Sequence, residues 1–513
     1  MSENQNYDPI LLQKFEDQVW SKIPHKEGDK IVNATPLVDL TADLKECAKS
    51  VFKLNLDDKD FKIYGKFDSE LLSGSIKVRA ASHIIHEAIK SGKCNGKRVV
   101  IEATSGNFGI ALGLLSKLGV TVVALVSRKL QEGVFKELRN ENIKIMDLDM
   151  DICPAPGMEN KADEMAAKAT AANIRSQLTE MGFDPQVFDK NLGEIEALLA
   201  KQDIINLARF LAEIYNMFCP KQYDNELNID IHNTVTAPEI DQQLHEVGDS
   251  LEDYVLFCSF GTGGTSGGLS KYMSEKYNKK AVHVVFPPLG QDVAGIRTKS
   301  KAEGLTLYNP ELYTEHEVDF ENVKLLLKFM VDKGHDIGES SALELFAALE
   351  MAYKGEIKKA VVMVADGIEK YRKNFEQISQ DKPPIKVSLE DAVAVAEDYD
   401  NIIWVHTQYT PKEEGIEMIA KSLGVDKSKI TVQKASTINN LLSTQQVPEE
   451  ISRELQGSKG KSLLVCMAGN TSLMTAQVLA SKGIVTQSLN GGITNLPEGR
   501  GKNPGEYIQV ARE

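Results

Sequence analysis

The 513-residue chain has no window approaching eighteen uninterrupted apolar residues, which excludes a membrane-spanning helix. Met1 to Asp8 is polar and lacks a basic stretch followed by an apolar one, so no secretory signal is expected and the sequence reads as cytoplasmic. Positive charge is in deficit: 59 Lys and Arg stand against 74 Asp and Glu, a net charge of −15. Such an excess repels phosphate backbones and argues against a nucleic-acid partner. The six cysteines, Cys47, Cys94, Cys153, Cys219, Cys258 and Cys466, include no CxxC pair and no zinc-ligand spacing. No metal site is therefore expected, and in a reducing compartment most of these thiols are small core residues. Internal repeats and low-complexity tracts are absent too. The hydrophobic fraction, 42%, still supports sizeable cores, and the length implies two or three domains.

Short β-rich runs alternate with helical ones. Arg98–Ala103, Val120–Ser127, Tyr254–Ser259, Ala281–Phe286 and Ala360–Ala365 read as buried strands, with helices predicted over Ile110–Leu118 and Leu269–Tyr277. This alternation predicts an α/β fold with parallel sheets covered by helices, whose ligands bind at the carboxyl ends of the strands. Residues 151–217 have helical periodicity, opened by the breaker Cys153–Gly157. They read as a helical insertion, either a structural excursion or a lid or oligomer surface. Gln380 to Pro384 is charged and proline-rich and reads as a linker. Beyond it Asn401–His406 and Ser462–Val465 begin a second, smaller α/β pattern. The expected division is residues 1–379, a linker at 380–386 and a C-terminal domain at 387–513.

Three segments carry the chemistry of the first domain. Ser73-Gly74-Ser75-Ile76-Lys77 offers a lysine in a small-residue setting, where burial would lower its pKa and free the amine to attack an aldehyde. The plain alternative is a helix start capped by Ser73 or Ser75. Thr104-Ser105-Gly106-Asn107-Phe108-Gly109 is a polar turn after an apolar strand. Gly261-Thr262-Gly263-Gly264-Thr265 follows a strand and enters a helix, so its backbone N–H groups and two hydroxyls could cradle a phosphate. A dinucleotide site is discounted because there is no clean GxGxxG after the first strand and no acidic partner beyond it, and no Walker sequence occurs. A Schiff-base lysine, a carboxylate-binding turn and a phosphate cradle together suit pyridoxal 5'-phosphate and an amino acid. Arg297, Lys299 and Lys301 form a basic segment that reads as a solvated loop, with an anion site as the alternative.

With these motifs in this order, residues from about 30 to 375 resemble the cysteine synthase group of fold-type II pyridoxal-phosphate enzymes, which includes O-acetylserine sulfhydrylase and cystathionine β-synthase. The resemblance implies two parallel-sheet α/β subdomains and a homodimer. It makes Lys77 the Schiff-base lysine and the base at Cα, and puts Asn107 at the cofactor's ring hydroxyl. Thr104, Ser105, Asn107 and Phe108 would receive the substrate carboxylate, with Gln222, in Gln222-Tyr223-Asp224-Asn225, as a further ligand. Gly261, Thr262, Gly263, Gly264 and Thr265 would hold the phosphate. Gly338-Glu339-Ser340-Ser341-Ala342 is similar to the family's GISSGA, placing Ser340 at the pyridine nitrogen. A serine there implies a mostly unprotonated ring, a weaker electron sink suited to β-elimination chemistry rather than transamination. The chain departs from the pattern at Lys77-Val78-Arg79, where the family has Lys-Asp-Arg, at Leu71-Leu72 in place of Asn-Pro, and in GESSAL itself.

In the C-terminal segment Cys466 follows a buried strand and precedes small, polar residues and a helix. A cysteine so placed is either a core residue or a thiolate or persulfide held by backbone N–H groups. A tyrosine-phosphatase loop would need Arg at position 472, which is Ser. Residues from about 387 to 513 resemble a rhodanese domain, through Cys466-Met467-Ala468-Gly469-Asn470-Thr471-Ser472, the helix after it and Ser488–Ile493. That resemblance implies a persulfide on Cys466, although Trp404-Val405-His406 stands where Asp-Val-Arg is usual and the loop lacks its arginine. The expected activity is β-replacement on an O-activated serine, O-acetylserine or O-phosphoserine, with a sulfur donor, giving cysteine or a related amino acid. The alternatives are a cysteine desulfhydrase-type lyase passing sulfur to Cys466, and a non-catalytic paralogue.

Overall fold

The structure is a computed structural model that describes residues 8–127, 130–148, 164–289, 291, 293–379, 385–406, 412–444, 446–456, 461–466, 469–482, 484 and 486–496. The chain divides into two compact units, the second built mainly from residues after 380. None of its described helices is long and apolar enough to cross a membrane.

The first unit contains a six-stranded sheet in the spatial order Thr314–Glu317, Val282–Phe286, Val255–Ser259, Lys359–Val364, Lys62–Phe67 and Leu37–Asp39. Every pairing is parallel except the last, where Leu37–Asp39 runs antiparallel at the edge. A separate three-stranded parallel sheet is built from Val99–Thr104, Thr121–Ser127 and Lys144–Leu148. The strands start within a residue or so of the sequence expectation, because each is a continuous apolar run bounded by polar residues.

The helix predicted over Ile110–Leu118 is instead two pieces: an α-helix at Asn107–Leu112 and a 3₁₀ stretch at Gly113–Leu118. The junction is closely packed: a Cβ at Gly113 would sit 2.5 Å from Glu141 Cβ. The helix after the glycine loop begins at once, at Gly264, and runs to Tyr277.

Helices occupy the described part of 151–217: Glu164–Glu180, Pro185–Lys190, Leu192–Ala200 and Ile204–Ile214. Their apolar residues Ile174, Leu178, Ile195, Leu199, Leu207 and Leu211 pack in one core with Ile101, Val123, Leu125 and Met146 of the small sheet. The segment therefore supplies a covering layer for one face of that sheet. The Cys153–Gly157 breaker and the linker at 380–384 lie outside the described residues.

The second unit holds a five-stranded, wholly parallel sheet in the order Lys386–Val387, Thr486–Leu489, Lys461–Val465, Tyr399–His406 and Ile430–Lys434. Apolar side chains fill both of its faces, one around Trp404, Leu463 and Val465 and the other around Ile403, Val405 and Leu464. Trp404 is a core residue at 1% exposure, and a Cβ at Gly415 would collide with its ring.

Candidate active site

In the first unit a cleft opens at the carboxyl ends of strands Val255–Ser259 and Lys359–Val364. This is where an open parallel sheet binds ligands. Lys77, Asn107, Gly261 to Thr265 and Ser340 all line it, although they are spread over 264 positions of sequence.

Lys77 is the first residue of helix Lys77–Lys90. No side chain caps this helix, and the hydroxyls of Ser73 and Ser75 are buried without partners, so the expected serine cap is not formed. The segment is held by backbone instead: Ile76 N–H donates to the Ala365 carbonyl at 2.7 Å. A Cβ at Gly261 would lie 3.3 Å from Lys77 Nζ, which places the amine against the glycine loop. Burial, aided by the Arg297 guanidinium and opposed by Asp366, lowers the Lys77 pKa to about 8. Near neutrality an appreciable fraction of this amine is therefore a free base, as nucleophilic or general-base work requires.

The glycine loop turns through Gly263, whose φ of +93° is open to glycine at little cost and which caps the following helix. Thr262 Oγ1 accepts from Asn228 Nδ2 at 2.9 Å, and Thr265 Oγ1 lies 3.3 Å from His232 Nε2. A Cβ at Gly264 would strike Asn228, so the loop needs its glycines for close approach as well as for the turn.

Asn107 begins the short helix after the polar turn. Its amide nitrogen donates to Asp366 Oδ2 at 2.6 Å and lies 3.1 Å from the Tyr371 hydroxyl, while its oxygen accepts from Lys370 Nζ at 2.6 Å. Tyr371 donates to the same Asp366 oxygen at 2.5 Å. Burial raises the Asp366 pKa and lowers that of Lys370. Asp366, Lys370 and Tyr371 were not foreseen from sequence. The available signal was position: Asp366 follows a buried strand of the same sheet just as the glycine loop does.

The remaining residues expected at the substrate carboxylate make the following contacts within the protein. Thr104 Oγ1 accepts from the backbone N–H groups of Gly106 and Gly109 at 3.1 Å, which shapes the turn. Phe108 is buried and Ser105 exposed. Gln222 is buried and donates its side-chain amide to the Ala103 carbonyl at 2.8 Å, and it does not line the cleft. Glu102, which accepts from the Gln222 backbone, is pushed up to about 7 by burial.

The basic segment corrects the sequence reading. Arg297 is not a solvated loop residue: it is 8% exposed, donates to the Gly261 carbonyl at 3.0 Å, and stacks 5.2 Å over the Tyr223 ring. Lys299 does lie at the surface, paired with Glu315.

In the second unit Cys466 sits at the end of strand Lys461–Val465, 3% exposed. Its sulfur accepts from the backbone N–H and the hydroxyl of Ser472, each at 3.3 Å. Ser472 Oγ is in turn 2.8 Å from Ser488 Oγ. Gly469, at φ +83°, caps helix Asn470–Ser481. Met467 and Ala468 of the same loop lie outside the described residues.

The first cleft fits pyridoxal phosphate on its own terms. It offers a lysine with depressed pKa, a loop of close-approach glycines at a helix N-terminus, and a buried Asp366 oxygen that lacks a hydrogen-bond partner. Comparison with known proteins agrees. A probable cysteine synthase of Bacillus subtilis (strain 168) is 28% identical over 60% of this chain and 88% of its own length. Cysteine synthase B of Campylobacter jejuni is 26% identical over 68% of this chain and 97% of its own. A structure of O-ureido-L-serine synthase with O-ureido-L-serine bound covers 74% of this chain and 98% of that one, with a TM-score of 0.51 at 19% identity, and shares the fold. Residues 50–367, more than half of the chain, match the family described as pyridoxal-phosphate dependent enzyme, so the chain belongs to that family and is a fold-type II, pyridoxal-phosphate-dependent enzyme of the cysteine synthase group.

Proposed function

We propose that the enzyme replaces the β-substituent of an O-activated serine with a sulfur nucleophile, giving cysteine or a related amino acid. The observation that carries this reading is the Lys77 amine, with a pKa of about 8, set against the glycine loop. Similarity to cysteine synthases over nearly their whole length supports it. Bound in the cleft, the cofactor supplies an electron sink for the bond broken at the substrate's Cα. The protein does the rest. Backbone N–H groups of Gly261–Thr265 and the start of helix Gly264–Tyr277 hold the phosphate. Asn107, fixed by Asp366 and Lys370, orients the ring hydroxyl, and the turn from Thr104 to Phe108 receives the carboxylate. Lys77, once exchanged for the substrate amine, takes the Cα proton at Nζ. Arg297, beside the loop, suits a leaving group with negative charge, which favours O-phosphoserine over O-acetylserine.

The second unit is read as a rhodanese-like sulfur carrier. Its parallel sheet and the two hydrogen bonds from Ser472 to the Cys466 sulfur support this reading. Visible spectra during titration with O-acetylserine and with O-phosphoserine, together with product analysis, test the main reading. A new amino acid formed only when sulfide is present is expected; pyruvate and ammonia as the sole products would replace it with β-elimination. For the second unit, thiosulfate sulfurtransferase activity is expected in the wild type and lost in Cys466→Ala. Equal rates would sink the sulfur-carrier reading.

A further inference from the structure

The glycine loop Gly261–Thr265 is backed by a helical run, an α-helix over Leu227–Ile231 that widens into a π-helical turn over His232–Thr236. Two of its side chains, Asn228 and His232, are four positions apart and share one face. Each meets one hydroxyl of the loop. Asn228 Nδ2 donates to Thr262 Oγ1 at 2.9 Å, and His232 Nε2 lies 3.3 Å from Thr265 Oγ1. The packing is close: a Cβ at Gly264 would strike Asn228, and one at Gly268 would sit 2.4 Å from His232 Cβ. The wide turn is the unusual feature. The Ala237 N–H donates to the His232 carbonyl five positions back, and Pro238, next in the chain, has no N–H to offer. Single turns of this kind are frequent at functional sites.

The direction of each bond matters, because a threonine hydroxyl has one proton. The Asn228 side is settled. Its amide nitrogen also donates to the Gln222 carbonyl at 2.9 Å, which fixes the orientation of the amide, so Thr262 can only accept and keeps its own proton for the cleft that it lines. His232 admits two directions. It is buried, and burial, with Arg79, Lys77 and His83 nearby, holds its pKa well below the ordinary histidine value, so the ring carries a single N–H. Its Nδ1 is 3.0 Å from the hydroxyl of Thr236, which is also buried. In one direction Thr236 donates to Nδ1, and Nε2–H donates to Thr265. In the other Nδ1–H donates to Thr236, and Thr265 spends its proton on Nε2 and turns its lone pairs toward the cleft. An anion in the cleft is served only by the first.

Resting on the reading of the loop as the phosphate cradle, we propose that His232 is a positioning residue for the phosphate: its Nε2–H donates to Thr265 Oγ1 while Nδ1 accepts from Thr236, so that both loop hydroxyls present their protons to the anion. Asn228 and His232 form a back row of donors, and the Thr262 and Thr265 hydroxyls pass that polarity forward into the cleft. The ring stays neutral throughout, and Thr236 sets its tautomer.

Nitrogen-15 spectra of histidine-labelled holoenzyme, with the His232 signal assigned by its loss in His232→Gln, read the tautomer directly. The Nε2–H form is expected at neutral pH; an Nδ1–H or doubly protonated ring overturns the proposal. Affinity supplies a second readout. His232→Leu is expected to raise the dissociation constant for pyridoxal phosphate roughly ten-fold or more, and to leave that for pyridoxal, which has no phosphate, within about two-fold of wild type. His232→Gln, whose amide carries an N–H near the place of Nε2, is expected to recover most of the loss. Unchanged affinity for pyridoxal phosphate in His232→Leu overturns the assignment, as does an equal loss for both ligands or a His232→Gln protein as weak as His232→Leu. Should His232→Leu fail to fold, the tautomer in the wild type decides alone. A wild type that holds pyridoxal as tightly as pyridoxal phosphate refutes the cradle reading and this inference with it, whereas a phosphate-dependent wild type with the other tautomer refutes the inference alone.

Discussion

Helix Lys77–Lys90 begins with two cations two positions apart, and their surroundings could hardly differ more. Arg79 is fully buried and fully paired: its Nε and Nη2 grip both oxygens of Asp68 at 2.7 Å, and its Nη1 meets Glu239 Oε2 at 2.6 Å. Lys66 closes the cluster with bonds to Glu239 and the Thr35 carbonyl, each at 2.5 Å, and Thr35 itself donates to both acids. Two positive and two negative charges thus cancel in a dry interior with their hydrogen-bonding capacity largely spent. Lys77 has no such carboxylate partner. It lies near Arg297, a like charge, in a cleft where Asp366 keeps an orphan oxygen. Both groups of residues are buried and ionisable. What separates structural from chemical is completeness: a saturated network fixes shape, and an unsaturated one waits for a ligand.

Each side of this contrast can be broken separately. The largest effect belongs to Lys77→Ala, which should cost roughly a thousand-fold or more in turnover while leaving the melting temperature unchanged or raised, because it removes a buried amine without a partner. Glu239→Ala should do the reverse. Stranding Arg79 and Lys66 costs about 3–5 kcal/mol, read by urea unfolding, and any protein that stays folded should retain the cofactor's visible band. A Glu239→Ala protein of normal stability would show that the two clusters do not differ as described. Arg297→Met sharpens the point more gently. Without the neighbouring cation the Lys77 pKa should climb above about 8, so the alkaline midpoint for capture of added cofactor should move to higher pH. The smallest effect is on stability against pH. Burial raises Glu102 and Glu339 from 4.5 to about 7. Over that interval the folded chain keeps protons that the unfolded chain has released, so these acids make stability fall as pH rises from 4.5 to 7. Glu102→Gln should remove its share of that slope, measured as the difference in melting temperature from wild type across the interval.

Legibility in the sequence followed the range of the interactions concerned. Strands such as Val255–Ser259 and loops such as Gly261–Thr265 are local patterns, and the order of three such motifs was enough to locate the cleft. Arg297 was misjudged because a basic residue among other basic residues reads as surface; its burial depends on the Gly261 carbonyl and the Tyr223 ring, both distant in sequence. Gln222 was placed by resemblance, yet its amide is committed to Ala103. The partners of Asn107 lie about 260 positions away, beyond any periodicity.

Those partners bear on how the enzyme acquires its cofactor. Asn107 is fastened to Asp366 and Lys370 by hydrogen bonds within the protein. A ligand that engages Asn107 must therefore trade bonds with the protein rather than add to them. Loading becomes a substitution reaction, with modest net gain at that position and a rate governed by how often the latch opens. The same latch ties the turn that carries Asn107 to the segment after strand Lys359–Val364 through bonds the protein makes with itself, so the position of that turn is a property of the fold.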